Sequence, residues 1–174
     1  MVTIEDSAEL SLQGITNLVR LEARLPGPDG NGEITIGTLI KAALRMRPDR
    51  IIVGEVRGTE SADMMHALNT GHPGSMCTGH ANSCYEMLER LTGLVMAGSG
   101  LPFEAVVTQL SMGIDIVLHI TRNKDGKRYI DEVSSLLSPE DNEYQLMTLF
   151  TNKGGENFEQ HCSDETLDKI SAYR

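Results

Sequence analysis

The sequence predicts an α/β protein whose first part forms a parallel sheet and whose later part is antiparallel. Three observations lead to this prediction. A short β-branched run lies between two helical segments, charged side chains follow directly after strands, and an Asp-Gly pair separates two later strands. The chain has 174 residues, of which 40% are hydrophobic and 23% charged, so it is long and apolar enough to bury a core.

The first predicted strands lie close to the start of the chain. Met1 to Ile4 is an apolar, β-favouring run. Residues 19–25 alternate between apolar and polar side chains, which predicts a half-buried strand with Leu25 on its inward face and with Arg20 and Arg24 together on the other. The Gly- and Pro-rich stretch that follows is typical of a loop.

A helix, a buried strand and a second helix are predicted next. Thr38 is expected to cap the first helix, which Pro48 ends. Residues 51–53 are short, apolar and β-branched, as in a strand covered on both faces of a parallel sheet. Thr59 is a candidate N-cap for a helix that reaches Gly71.

The remaining pattern predicts two helices followed by an antiparallel region. The elements are helices over 85–98 and 103–113, strands over 114–121, 128–137 and 144–150, and a terminal helix over 167–173. Asn123-Lys-Asp-Gly126 favours a hairpin turn between the first two of these strands. We expect residues 1–150 to form the main domain and residues 151–174 to form an acidic tail with a short helix, loosely structured over 151–165.

Charge and composition narrow the class of protein. The net charge is −10, and residues 131–174 carry −7 of it, which argues against a broad nucleic-acid-binding face. The sequence has no apolar run of about 18 residues and an acidic rather than basic start, so we expect a cytoplasmic protein. Three cysteines favour reduced thiols over a disulfide framework.

Two clusters of acidic residues follow predicted strands. Glu5, Asp6 and Glu9 come after the first strand, where carboxylates can orient a water or accept its proton; a solvated turn is the alternative. Glu55 and Arg57 come after residues 51–53, and a carboxylate there can hold Mg²⁺ through its waters. A purely structural Glu55 is the alternative.

A third cluster, residues 70–83, is rich in histidine, hydroxyl groups and glycine. His72 and His80 can donate to phosphate oxygens, and the glycines allow close backbone approach, although an ordinary polar loop remains possible. His72, Cys77, His80 and Cys84 are potential zinc ligands, but their interleaved spacing does not match structural zinc sites, and we expect no zinc. The chain has no G-x-x-x-x-G-K-[ST] phosphate loop and no G-x-S-x-G elbow.

In this order, the three clusters resemble motifs of the C-terminal motor domain of the type II/type IV secretion ATPase superfamily, closest to its Tad pilus (CpaF-like) branch. Residues 2–10 are similar to the family's Asp box, residues 50–58 to its Walker B strand and residues 70–83 to its His box. The resemblance covers roughly residues 2–135.

The resemblance implies a partial RecA-like P-loop NTPase fold in an ATPase that works with Mg²⁺. It implies a general base or water-positioning role for Glu5, with Glu9 as the alternative, and a role for Glu55 on magnesium and the water network. The other implied nucleotide-binding residues are His72 and His80, which sense the γ-phosphate, and Arg20, Arg24 and Arg57, which neutralise phosphate charge.

The same resemblance implies a homo-hexamer at the inner face of the membrane, where it acts with platform proteins of a secretion or pilus system. The family's Walker A motif has no counterpart here, so we expect the chain alone to bind ATP poorly and to hydrolyse it negligibly. Two alternatives remain: a non-catalytic module that uses its acidic tail for docking, and a small metal-dependent hydrolase built on His72, His80 and Glu55.

Overall fold

In the computed structural model, which describes residues 1–155 and 157–171, the chain divides into two units. The first unit comprises Met1–Gly79 and Gly93–Leu101, and the second comprises His80–Thr92 and Pro102–Arg174. The first unit holds a parallel sheet and the second an antiparallel sheet, so the predicted α/β class and the change of strand direction are both confirmed.

The elements follow one another along the chain in the predicted order, with two additional short strands. They are β1 (Val2–Glu5), β2 (Val19–Glu22), α1 (Ile36–Arg45), β3 (Ile51–Val53), α2 (Glu60–Leu68), β4 (Met76–Cys77), α3 (Cys84–Ser99), α4 (Phe103–Gly113), β5 (Ile116–Arg122), β6 (Arg128–Glu140), β7 (Glu143–Thr151), a 3₁₀ turn (Lys153–Gly155), β8 (Glu159–Gln160) and α5 (Asp164–Ser171).

The sheet of the first unit has the order β2-β1-β3-β4, and each pair of neighbouring strands is parallel. Ile4, Ile51 and Val53 are fully buried in it, which explains the short apolar runs in the sequence. Helix α1 packs on β1 and against α2, and its buried side chains include Ile40.

Two sequence predictions in the first unit are wrong. The cap of α1 is Thr35, not Thr38, and the Thr35 hydroxyl accepts a hydrogen bond from the Thr38 amide at 3.2 Å. The strand predicted over 19–25 ends at Glu22, and Leu25 is 85% exposed instead of facing inward. Beyond Glu22 the chain leaves the sheet, and Arg24 makes an isolated antiparallel bridge to Ile34.

The sheet of the second unit has the order β5-β6-β7-β8 and is antiparallel throughout. The predicted hairpin turn is confirmed: the side-chain oxygen of Asn123 accepts from the amides of Asp125 and Lys127, at 3.0 and 2.9 Å. Helix α4 packs on β6 and β7, and the buried side chains of this unit include Leu110, Leu136 and Tyr144.

The C-terminal part is more ordered than the sequence suggested. Strand β8 and a 3₁₀ turn lie within residues 151–165, which were expected to be loose. The terminal helix begins at Asp164, earlier than the predicted residue 167, and the predicted positions 172 and 173 lie outside the described residues. No single helix in the described part of the chain is long and apolar enough to cross a membrane; one bent pair, α3 with α4, passes by length and composition.

Candidate active site

The first two acidic clusters meet at the carboxyl edge of the parallel sheet. Ile4 and Val53 are register partners on β1 and β3, so Glu5, the last residue of β1, lies beside Gly54, the first residue after β3. The Gly54 amide donates to the Ile4 carbonyl at 2.8 Å. A Cβ on Gly54 would lie 3.1 Å from Cγ of Glu5, so the glycine leaves room for that side chain over the end of β3.

The Glu5 carboxylate is fixed by the loop that follows β1. Glu5 is only 5% exposed, and its Oε1 accepts hydrogen bonds from the amides of Glu9 and Leu10, at 2.9 and 2.8 Å. Its Oε2 accepts no hydrogen bond from the described residues. Backbone donors thus orient the group and leave one oxygen for a water molecule. Glu9 contributes to this arrangement through its backbone, and its own side chain is exposed.

Arg57 connects the two acidic clusters. Its Nη2 lies 2.6 Å from Oε2 of Glu55, and its Nη1 lies 3.9 Å from Oδ2 of Asp6. The hydrogen bond that Arg57 donates to the Glu55 carboxylate, together with the negative charge of that carboxylate, raises the pKa of the Arg57 guanidinium. Glu55 itself is largely buried, so the pair holds a carboxylate and a cation side by side at the end of β3.

Two residues that the sequence analysis did not single out hold the loop after β3 in place. The Glu60 Oε1 accepts from the amides of Arg57 and Gly58, at 2.6 and 2.7 Å. On the other side, the Thr78 hydroxyl donates to the Gly54 carbonyl, and the Val56 amide donates to the Thr78 carbonyl at 2.9 Å. A Glu at the first position of a helix was the available signal for Glu60, since such carboxylates often bind nearby amides.

A cleft of about 730 Å³ opens beside this edge, within the first unit. Asp6, Arg24, Glu55 and Arg57 line it together with the first turns of α1 and α2. Arg24 is oriented by a hydrogen bond from its Nε to the Gly32 carbonyl at 2.6 Å. Three sequence-predicted residues, Arg24, Glu55 and Arg57, therefore share one polar cavity.

Within the first unit, Arg20 and His72 lie outside this cleft. Arg20 is exposed and contacts the Leu12 carbonyl at 3.4 Å, outside the lining of the cleft. His72 precedes β4 and lies 3.4 Å through Nδ1 from the Ala67 carbonyl, at the end of α2. His80 is exposed and belongs to the second unit.

His72 is at the opposite edge of the sheet from Glu5 and Glu55. Because β4 runs parallel to β3, the residues before it lie at the amino ends of the strands. The Ser75 hydroxyl, for example, accepts from the Ile51 amide at 3.0 Å, where β3 begins. The structure therefore brings Glu5, Glu55, Arg24 and Arg57 to one edge of the sheet and does not bring His72 there.

The donors at the carboxyl edge fit a hydrated magnesium ion. Glu5, Asp6 and Glu55 offer only carboxylate oxygens, the hard ligands that Mg²⁺ prefers, and Mg²⁺ usually keeps several of its waters. Among residues 1–155 and 157–171, no three His, Cys, Asp or Glu side chains are grouped to hold a metal directly. Burial raises the pKa of the Cys77 thiol to about 11, so it carries its proton near neutral pH.

Comparisons with known proteins identify the family to which this chain is similar. The model of the family described as "Type II/IV secretion system protein" matches residues 1–165. A putative conjugal transfer protein of Mycobacterium tuberculosis (strain H37Rv) is 44% identical over 140 residues, which are 80% of this chain and 39% of that protein. The type IV secretion system protein VirB11 of Brucella suis is 37% identical over 142 residues, covering 76% and 38% of the two chains.

Solved structures agree with this comparison. The VirB11 ATPase of Brucella suis, in complex with sulphate, matches with a TM-score of 0.66 and 37% identity over 77% of this chain and 39% of that one. The pilus retraction motor PilT with bound ADP matches in fold, with a TM-score of 0.52 and 20% identity over 99% of this chain and 42% of that one. The fold is therefore RecA-like and partial, and the chain spans about 39% of the length of the relatives it matches.

Proposed function

This chain belongs to the type II/IV secretion system protein family, and from that premise we propose that it is part of an ATP-hydrolysing motor for secretion, conjugal transfer or pilus assembly. The observation that carries the proposal is the meeting of Glu5, Glu55 and Arg57 at the carboxyl edge of the parallel sheet. This edge is where open α/β sheets bind ligands.

Each residue at this edge has a proposed task. Glu5, held by two backbone amides, positions a water and accepts its proton as the water attacks the terminal phosphate. Glu55 orients the water shell of Mg²⁺, and Arg57 keeps that carboxylate in place and adds positive charge. Mg²⁺, when bound, neutralises charge on the phosphate oxygens.

The arginines on and after β2 have a second proposed task. Arg24, in the cleft, and Arg20, outside it, are proposed to neutralise phosphate charge, with Arg20 acting across a subunit boundary. His72 and His80 are proposed to respond to the γ-phosphate. Because His72 lies at the amino edge of the sheet, its proposed action is indirect, through the chain that leads from it into β4.

The larger assembly is also a proposal. The VirB11 ATPase of Brucella suis belongs to a type IV secretion system, and the DotB ATPases of Yersinia pseudotuberculosis and Legionella pneumophila share the fold. We infer a homo-hexamer in the cytoplasm, at the inner face of the membrane, that acts on platform proteins of the machine, with a main domain over 1–150 and an acidic tail over 151–174. The branch nearest to Tad pilus motors belongs to the same proposal.

The 174-residue chain alone is proposed to be inactive. It contains no G-x-x-x-x-G-K-[ST] motif, whose backbone amides and lysine hold the β- and γ-phosphates. The activity therefore belongs to a longer protein that contains this segment.

The test uses that longer protein. Glu55→Gln and Glu5→Gln should each lower ATP turnover by about 100-fold or more, since each removes a charge that acts in the transition state. Binding of a fluorescent ATP analogue should change little. Phosphate release and fluorescence titration measure the two quantities.

Glu22→Gln is the matched control, because Glu22 is the register partner of Glu5 on β2 but is exposed. Its turnover should equal that of the wild type. Loss of turnover in Glu9→Gln with normal turnover in Glu5→Gln would transfer the role to Glu9. Normal turnover in both Glu5→Gln and Glu55→Gln would refute the proposed site.

A further inference from the structure

The second unit exposes much of one face of its antiparallel sheet. Along β5, β6 and β7 the side chains on this outer face are Ile116, Leu118, Ile120, Arg122, Arg128, Ile130, Val133, Ser135, Leu137, Glu140, Glu143, Gln145, Met147 and Phe150, of which Ser135 is buried. The opposite face carries Leu136 and Tyr144, which are buried in the region where α4 packs. The register shifts at three bulges, between His119 and Ile120, between Val133 and Ser134, and between Leu137 and Glu140. Each bulge adds one residue to one strand, so the residues named above stay on the same face on both sides of it.

The centre of the outer face is apolar and open to solvent. Leu118 is 52% exposed and Ile120 is 58% exposed, although both lie in a regular strand. Their register partners Val133 and Ile130 extend the apolar surface onto β6. Strand residues with this pattern are normally polar on the solvated side of a sheet, so an apolar centre indicates a contact surface.

One end of the outer face is strongly basic. Arg122 and Arg128 are direct register partners, and they are followed in the β5–β6 turn by Lys124 and Lys127. None of these four side chains has an ion-pair partner among the residues that the structure describes. Like charges placed directly opposite each other destabilise a strand pair, so this end favours an anionic partner.

The other end is acidic in the same way. Glu140 and Glu143 are also direct register partners, and Asp141 lies in the turn between them. Within the described chain, these three carboxylates are likewise without ion pairs. The outer face thus runs from a pair of arginines, through an apolar centre, to a pair of glutamates.

A surface with this order is complementary to itself when one copy is turned by 180°. We propose that the outer face binds the outer face of a second copy of this chain, with Arg122 and Arg128 of one copy against Glu140 and Glu143 of the other. The two-fold axis passes through the apolar centre, so both charged contacts form twice and Leu118 and Ile120 lose their contact with water. Charge complementarity selects this partner over an unrelated apolar one.

The size of the surface fits such a contact. Strands β5, β6 and β7 have 7, 13 and 9 residues, and at about 3.3 Å per residue and about 4.8 Å per strand they cover roughly 450 Å² of sheet face, or roughly 900 Å² for two copies. That value is below the range of standard-size specific interfaces, so the contact is expected to be weak. The two-fold contact closes at a pair, whereas a ring needs a head-to-tail contact, so the outer face is separate from the proposed hexamer interface and does not depend on the proposed ATPase activity.

The experiment uses the 174-residue chain and two charge-reversal variants. One carries Arg122→Glu and Arg128→Glu, so that all four end residues are acidic. The other carries Glu140→Arg and Glu143→Arg, so that all four are basic. In each variant the register partners at both ends of the outer face still carry like charges, as in the wild type. The substitutions should therefore alter the folding stability little. Sedimentation equilibrium measures self-association at low and high salt.

We expect the wild type to dimerise, more weakly at high salt, and each variant to self-associate about tenfold or more weakly. An equimolar mixture of the two variants should recover association, because an acidic outer face then meets a basic one. The control is Arg90→Glu with Lys153→Glu, which makes the same charge change at exposed positions outside the outer face and should dimerise like the wild type.

Three results would overturn the proposal. The wild type could remain monomeric over the whole concentration range, it could associate equally in both variants, or the mixture could fail to recover what the single variants lose. Binding of the wild type to anionic vesicles in place of self-association would assign the basic end to a membrane and reject the second copy.

Discussion

The two units use their strands in opposite ways. In the first unit, β1 and β3 are short and buried on both faces, and the polar residues stand at the strand ends. In the second, β6 and β7 are long, bury one face and expose the other. The difference shows how one chain separates two tasks, because buried parallel strands collect ligand groups at an edge, whereas two-faced antiparallel strands present a surface.

The largest effect on stability is expected in the first unit, where the backbone of Gly98 packs closely against the backbone of Thr59. A Cβ on Gly98 would overlap the Thr59 carbonyl oxygen and also contact Cβ of Ala62 at 3.1 Å. We expect Gly98→Ala to lower the free energy of unfolding by about 3 kcal/mol, because backbone atoms must move to admit the methyl group. Urea denaturation followed by circular dichroism measures the loss.

Gly93→Ala is the matched control for Gly98→Ala. Gly93 lies in the same helix, but a Cβ there would meet no atom within 4 Å. Alanine is the better helix former, so this variant should be more stable by up to about 1 kcal/mol. Equal effects of the two substitutions would mean that the first unit does not depend on this close approach.

The second unit should respond most to loss of a buried side-chain hydrogen bond. The Thr92 hydroxyl bonds with the Tyr144 hydroxyl, and burial raises the pKa of Tyr144. We expect Thr92→Val to lower the free energy of unfolding by about 2 kcal/mol, because the Tyr144 hydroxyl would then be buried without that partner. Thermal or urea denaturation measures the change.

Thr108→Val provides the comparison for Thr92→Val. The Thr108 hydroxyl is exposed and donates only to the Glu104 carbonyl of its own helix, at 2.9 Å. Its replacement should change stability by no more than about 0.5 kcal/mol. If Thr92→Val costs no more than Thr108→Val, the hydrogen bond to Tyr144 does not contribute to the stability of the second unit.

The smallest expected effect is a loss of stability at alkaline pH. Burial, followed by the nearby charge of Glu132, raises the pKa of the Cys84 thiol from 9.0 to about 12. Between these two values the unfolded chain loses the proton while the folded chain keeps it, so the contribution of Cys84 to stability falls as the pH rises above 9, by about 1 kcal/mol up to pH 10. Denaturation of the wild type and of Cys84→Ala at pH 8 and pH 10 isolates this contribution.

Cys77 in the first unit provides a comparison for the pH dependence of Cys84. Burial raises the pKa of its thiol to about 11, so its contribution should fall over a narrower range, between pH 9 and pH 11. An identical pH dependence in wild type and Cys84→Ala would show that Cys84 titrates alike in the folded and unfolded chains.

Sequence patterns correctly predicted the elements whose conformation depends on neighbouring residues in the chain. The buried run at residues 51–53 and the turn at Asn123 to Gly126 follow from β-branched side chains and from turn chemistry. Thr38 was mistaken for a cap because both threonines are suitable residues, and only the path of the chain out of the sheet places Thr35 before the first turn. Leu25 fits an alternating pattern that ends earlier because Arg24 pairs with Ile34 instead.

The part of the site that was predicted correctly also depends on local sequence patterns. Glu5, Glu55 and Arg57 follow strands directly, so the sheet brings them together. His72 was assigned by its place in a polar stretch, and the two-residue strand β4, which separates His72 from His80, is too short to be recognised by periodicity. Glu60 could have been recognised from its place at the start of a helix. Thr78 binds the Gly54 carbonyl 24 residues away in sequence, and no spacing rule reveals that contact.

The Glu60 carboxylate makes the beginning of α2 and the loop that carries Glu55 one cooperative element. The amide hydrogens of Arg57 and Gly58 are both held by that carboxylate, so they exchange with solvent only when the Glu60 side chain moves away from them. Fraying at the start of α2 would release both amides, so it would also loosen the loop that follows Glu55.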